Sequence, residues 1–212
     1  VVSMKLCEIT LPSFFHNINN DYQNTKLHFR LKPFFRNQSD WLPAYRALAL
    51  NQSAVYEITL PNGLYCQSEL VLIIQNLMNK SVTDYLKEKG ITYDYKYFTC
   101  FNDTLRQKIW FGNTHDKFEL EFNNNIQYSN LSCEQKIVFD NNDHWGLPYY
   151  IGFEKKSYSS VSSTEPISFD YKEGEDANGN ITDSFLWLEK DQNSDSCHYI
   201  ESPFTIKLAR FK

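Results

Sequence analysis

The run Lys26-Leu27-His28-Phe29-Arg30-Leu31-Lys32 alternates polar and apolar residues without a fault, which puts Leu27, Phe29 and Leu31 on one face of a strand. Tyr56, Ile58 and Leu60 repeat the pattern against Glu57 and Thr59, and Phe118, Leu120 and Phe122 form a third stripe. Less regular strands are predicted at residues 4–11, 92–101, 108–111, 134–139, 167–171, 184–188 and 204–211. That makes about ten short strands separated by polar turns, which favours a β-sandwich or jelly roll over a βαβ fold. One-sided alternation means that each sheet has one wet face.

Two helices interrupt the strands. After a turn at Pro61-Asn62-Gly63, where Gly63 is expected at positive φ, Cys66 takes the N-cap position with Glu69 three residues on. Leu70, Ile73, Ile74, Leu77 and Met78 then share a face, so this helix is expected to pack on a sheet edge or end. Ser81 and Asp84 have the spacing of a capping box for a second short helix, ending at Gly90 after Lys87 and Lys89. No repeat or linker-like shift in composition divides the chain, so residues 1–212 are read as one domain.

With 212 residues, 42% of them apolar and 16% aromatic, the chain can bury a core without a metal or disulfide staple. The formal charge of −5 argues against a dedicated nucleic-acid or anionic-membrane binder. Five cysteines with no C-x-x-C pair are expected to be reduced thiols made in a reducing compartment. Residues 1–11 are too mixed in polarity for a signal peptide, and no stretch is apolar enough to span a membrane. Asparagine occurs 20 times, so most of the six N-x-S/T sequons, at Asn37, Asn51, Asn79, Asn102, Asn130 and Asn180, are read as incidental.

The chemistry-bearing residues do not assemble into a catalytic motif. His16, His28, His115, His144 and His198 are scattered without ligand spacing, and Asp143-His144-Trp145 reads as a turn rather than an acid–base pair. Glu173, Glu175 and Asp176 around Gly174 lack calcium-loop periodicity and suit a solvated hairpin tip. With seven glycines and no G-x-x-x-x-G-K-S/T or G-x-S-x-G, the expectation is no enzyme, no cofactor and no metal. The segment 34–50 is rich in large apolar groups but interrupted by Asp40 and Pro43, as in a loop that packs on a neighbour. Phe34, Phe35, Trp41 and Tyr45 are therefore candidate interface residues.

Three segments also occur in a telling order: "VVSMKLCEITLPSFFHNINNDYQNTKLHFRL" with its turn at Asn17, "YEITLPNGLYCQSEL" and "DNNDHWGLPYYIGFE". Together they resemble the minor capsid, or penton, proteins of virophages and polinton-like viruses, and the length and asparagine-rich composition look most like the Sputnik-type members. Those proteins carry a "yNi" turn, an "IPdGxYsxxxL" turn-helix and an "LGF" element. Asn17, Pro61, Gly63, Tyr65, Leu70, Gly152 and Phe153 match; Cys66 replaces the usual Ser or Thr cap, and Ile151 the commoner Leu. The likeness covers about residues 1 to 155. It implies a single jelly roll, made in the host-cell cytoplasm and located at capsid vertices. There a homopentamer would stand beside major capsid protein trimers, with no nucleic-acid contact and no membrane span. The alternative is a carbohydrate- or receptor-binding β-sandwich, for which the exposed aromatics and an acidic loop over 172–184 would serve.

Overall fold

The structure, a computed structural model, describes residues 16–33, 42–122, 146–175 and 181–207. The strands expected at 4–11 and 134–139 and the Asp143-His144-Trp145 turn lie outside the described residues.

The three alternating stripes share one sheet. β1 (Lys26–Lys32) lies between β2 (Tyr56–Thr59) and β5 (Lys117–Leu120), with β6 (Tyr158–Ser159) beyond β5. The antiparallel register sets Leu27 opposite Ile58, Phe29 opposite both Tyr56 and Leu120, and Leu31 opposite Phe118, so one face is continuously apolar. The opposite face carries ion pairs, among them Lys26–Glu57 at 2.8 Å and Arg30–Glu121 at 2.6 Å. A second antiparallel sheet runs β3 (Phe98–Asp103), β4 (Lys108–Asn113), β10 (Cys197–Glu201) and β7 (Val161–Ser163). Phe98 meets Phe29 and Phe118 edge-on, with ring centroids 5.1 and 5.3 Å apart, which joins the two inner faces in one core. β8 (Ile167–Glu175) and β9 (Ile181–Leu188) form a two-stranded ribbon whose Leu188 is buried with Trp110 and Cys197 in a small second cluster. Among the described residues the fold is thus mostly β, three antiparallel sheets and few helices, consistent with a β-sandwich.

The helix after Gly63 is longer than the sequence suggests. α2 (Gln67–Glu88) runs unbroken through the predicted second start. Ser81 donates to the Met78 carbonyl at 3.0 Å and Asp84 pairs with Lys80 at 2.6 Å, so both would-be capping residues are satisfied within the helix. Its buried stripe, Leu70, Val71, Ile74, Met78, Val82 and Leu86, has no gap at Ser81; Ile73 and Leu77, expected in the stripe, are only half-buried. The helix ends as predicted at Gly90 (φ +75°), where Gly90 N–H bonds Lys87 O at 2.9 Å and Ile91 N–H bonds Leu86 O at 3.0 Å, a Schellman closure.

α2 lies against β2 and β3, the edge strands of the two sheets, and so closes one side of the sandwich. Along it, Gln75 Oε1 accepts Cys100 N–H (3.0 Å), and Thr83 Oγ1 accepts Tyr95 N–H (3.0 Å). Between them, Asn79 both accepts from Phe98 N–H (2.9 Å) and donates to Phe98 O (2.8 Å). One polar stripe thereby pairs backbone groups that an edge strand would leave open. It also occupies both ends of the amide of Asn79, the asparagine of one sequon. On the other side the chain steps from β6 in the first sheet to β7 in the second, pinned at Ser160 by hydrogen bonds with Phe118.

Several expected loops and strands are placed differently. Residues 43–50 are not loop but helix α1 (Pro43–Leu50), because Pro43 suits the first helical turn and Ala44, Tyr45 and Leu48 bury one face. The strand expected at 92–101 begins only at Phe98, since Tyr93, Tyr95 and Tyr97 are drawn into a polar cluster described below. Residues 155–166 contain β6 and β7, and within the acidic segment expected as a loop 172–175 and 181–184 are ladder. Residues 204–207 form no strand, whereas β10 at 197–201, which lacks clean alternation, does.

Candidate functional site

The three motif-bearing segments meet at one end of the sandwich. Ile18 and Gly63 exchange backbone hydrogen bonds of 3.1 and 2.9 Å, an isolated bridge between the first turn and the Pro-Asn-Gly turn. Asn17 clamps the same pair of turns through its amide, donating to Tyr65 O at 2.7 Å and accepting Tyr65 N–H at 2.9 Å. Asn24 is fully buried behind it, donating to Asn17 O at 2.8 Å and accepting Asn19 N–H at 2.7 Å. The Tyr65 hydroxyl donates to Pro61 O at 2.9 Å and folds the ring over Gly63. Gly63 does not have positive φ, contrary to expectation; a Cβ there would come within 2.9 Å of the Tyr65 ring, so glycine supplies room rather than conformation. Leu70, one turn into α2, is fully buried below. At the helix start Glu69 accepts Cys66 N–H at 3.0 Å, which holds its carboxyl below the usual range.

The third segment completes this end. α3 (Leu147–Tyr150) stops at Gly152 (φ +86°), flanked by the buried Ile151 and Phe153. Phe153 packs edge-on against Phe111, Phe122 and Tyr158. Gly152 O accepts Phe204 N–H at 3.0 Å, and Tyr150 O accepts Lys207 N–H at 2.8 Å, so the chain after β10 is strapped across this turn. Around these turns Tyr22, Leu64, Leu105 and Phe204 are each about half exposed or more.

The four candidate interface residues fare differently. Phe34, Phe35 and Trp41 lie outside the described residues. Tyr45 is 7% exposed on the inner face of α1, so it does not present itself to a neighbour.

Tyr45 instead belongs to a buried polar cluster at the opposite end, which the sequence reading missed. His115 Nδ1 lies 2.9 Å from Asp116 Oδ1, and Tyr95 donates its hydroxyl to Asp116 Oδ2 at 2.8 Å. Asn113 Oδ1 accepts the N–H groups of His115 (2.9 Å) and Asp116 (2.7 Å), fixing the turn between β4 and β5. The His115 ring lies between Tyr45 and Tyr97, with centroids 5.1 and 4.9 Å away, and its Nε2 is 3.5 Å from the Tyr45 hydroxyl. Tyr45, Tyr93 and Tyr97 hydroxyls lie 2.9 to 3.4 Å from one another. Asp116 and Asn113 are fully buried. Burial works against a charged His115, but the Asp116 hydrogen bond and the charges of Asp116 and Asp191 outweigh it and leave the ring above its ordinary pKa. Nearby His198, buried and bonded to Ser162 at 3.0 Å, is pushed down to about 4, chiefly by desolvation. The adjacency of His115 and Asp116 was the one visible trace of this cluster.

Among the described residues no three His, Cys, Asp or Glu side chains come together in a metal-holding group, and no helix is long and apolar enough to cross a membrane. The chain matches no protein-family model, no curated protein and no solved structure.

Proposed function

We propose that this chain is a structural protein of a virus shell: a minor capsid protein with the single jelly-roll topology, five copies of which close an icosahedral vertex beside trimeric major capsid proteins. The observation that carries the reading is the interlock of Asn17, Gly63 and Tyr65, with the Gly152 turn at the same end. Residues picked out by the resemblance, from segments far apart in the chain, converge on one end of a mostly β fold, where the first two turns brace each other and the third is strapped by the chain after β10. A ring of five needs two unlike flanks that fit each other. The outer edges of the two four-stranded sheets are covered by α2 or reduced to strands of two and three residues, which leaves the β8–β9 ribbon as the element with long edges among the described residues. Contacts between copies at the two main sheets would therefore run through side chains and turns rather than through strand addition. The half-exposed Tyr22, Leu64, Leu105 and Phe204 offer such a surface, whereas Tyr45 does not.

Native mass spectrometry and sedimentation over a concentration series test this, alone and with a major capsid protein. A five-chain species with five-fold symmetry in electron micrographs is expected. A chain that stays monomeric in both settings, or is located in particles away from the five-fold positions, overturns the proposal. Glycan binding by such a monomer would favour the carbohydrate-binding alternative, for which Trp187, 53% exposed on β9, is a ready stacking surface.

A further inference from the structure

The buried cluster at the opposite end has no part in that reading, and a histidine–aspartate pair set among hydrogen-bonded tyrosines is an arrangement that can serve a function. Its construction ties one mobile proton to one peripheral element. α1 meets the sandwich through Ala44, Tyr45 and Leu48, and Tyr45 is the member that reaches the His115 ring. We propose that Tyr45, Tyr97, His115 and Asp116 form a proton-operated latch: a charged His115 ring closes the aromatic cage and holds α1 down, and its neutralisation loosens α1.

Every group that faces the ring bears on this. Asp116 from the β4–β5 turn supplies the counter-charge, and it cannot swing away because Tyr95 and Asn113 hold its carboxylate and its N–H. Asp191, in the segment before β10, adds a second negative charge, while His198 from β10 stays neutral and adds no repulsion. Tyr45 from α1 and Tyr97 from the segment before β3 offer their ring faces, tilted 31° and 25° from the imidazole, and a ring face attracts a cation more than a neutral ring. The hydroxyls respond too. With Nδ1–H donated to Asp116, a neutral ring leaves Nε2 to accept from Tyr45. A charged ring donates from Nε2, and Tyr45 then donates onward to Tyr97 at 3.2 Å. Tyr97 in turn is 2.9 Å from Tyr93. A donor carrying charge makes the stronger bond, so the charged state is the one that Tyr45 closes over. Only desolvation opposes it, and the two carboxylates outweigh desolvation.

The sign follows. The closed cage binds the proton more tightly than the open one, so the hold on α1 is complete below the ordinary histidine pKa and is lost as pH rises through the elevated value. Hydrogen exchange of the full chain, read on the 43–50 segment between about pH 6 and 9 and corrected for intrinsic rates, tests it. Protection of α1 should fall with pH at a slope of up to about tenfold per unit, the limit for one linked proton. In His115→Gln the fall should vanish. A flat wild-type profile, or the same fall in the variant, overturns the latch. Should His115→Gln not fold, Tyr45→Phe keeps the question open to test by NMR titration of His115. Loss of the hydroxyl acceptor should lower its pKa, and an unchanged value overturns the proposal.

Discussion

A methyl group on Gly152 would lie 2.2 Å from the Phe204 carbonyl oxygen, on backbone with φ +86°. Neither term can relax, because the obstacle is main chain strapped down by its own hydrogen bond. Gly152→Ala should therefore cost more than about 3 kcal/mol in chemical denaturation, or prevent folding. At Gly63 the obstacle is a tyrosine ring that can turn away by giving up its bond to Pro61, at a cost of about 1 kcal/mol. A Tyr65→Ala background should then make Gly63→Ala nearly neutral; an undiminished penalty in that double-mutant cycle would show that backbone conformation matters there after all. His198 sets a third expectation at this scale. Its folded pKa of about 4 lies below the ordinary 6.5, so its contribution is intact above the ordinary value and is lost as pH falls towards the folded one. The loss from this group is up to about 3 kcal/mol. Denaturation at either end of that window should differ less in His198→Gln than in the wild type. The latch histidine works in the opposite sense and above this window, so substituting His115 should leave this loss nearly unchanged and act only at higher pH.

In α2 the apolar stripe and the polar stripe do separate jobs. Leu70 is fully buried and Leu77 half-buried, so Leu70→Ala should cost about 2–5 kcal/mol and Leu77→Ala clearly less. Asn79→Leu keeps the volume but strands both backbone groups of Phe98 at a sheet edge, which should cost about 2–3 kcal/mol and raise aggregation measured by light scattering. Equal stability and solubility would mean that the edge is hydrated instead. The stripe from Leu70 to Leu86 was legible because helix period is a local property, and β1, β2 and β5 were legible through alternation for the same reason. What misled was chemistry with two local solutions: Ser81 and Asp84 have capping-box spacing, yet each is equally satisfied inside a helix whose buried face continues past them. The candidate sites were legible only in part. Asn17, Gly63 and Gly152 stand out within their own short runs, but the 48-residue separation between Asn17 and Tyr65 leaves no local sign that they touch. The same holds for Tyr45 and His115, 70 residues apart.

On the scale of the molecule the cysteines report which parts open together. Cys66 is exposed at the start of α2, whereas Cys100 and Cys197 are buried free thiols. Cys100 belongs to the main core, on the edge strand that Gln75 and Asn79 cover, and desolvation drives its pKa well up. Uncovering it means detaching α2 from both sheets at once, which strips the apolar faces of each. Cys197 belongs to the small cluster with Trp110 and Leu188, and its thiol points at the carbonyls of Ser163 and Leu188. That cluster is closed by the β8–β9 ribbon, and a two-stranded ribbon has little stability of its own. Lifting it exposes Cys197 while leaving the main core intact. Thiol labelling under native conditions should accordingly proceed in the order Cys66, Cys197, Cys100. The Cys100 rate should follow the global unfolding free energy and its denaturant slope, and the Cys197 rate should show a lower free energy and a shallower slope. If Cys100 labels before Cys197, α2 is the element that opens first. The edge it covers would then be intermittently exposed for pairing with another chain.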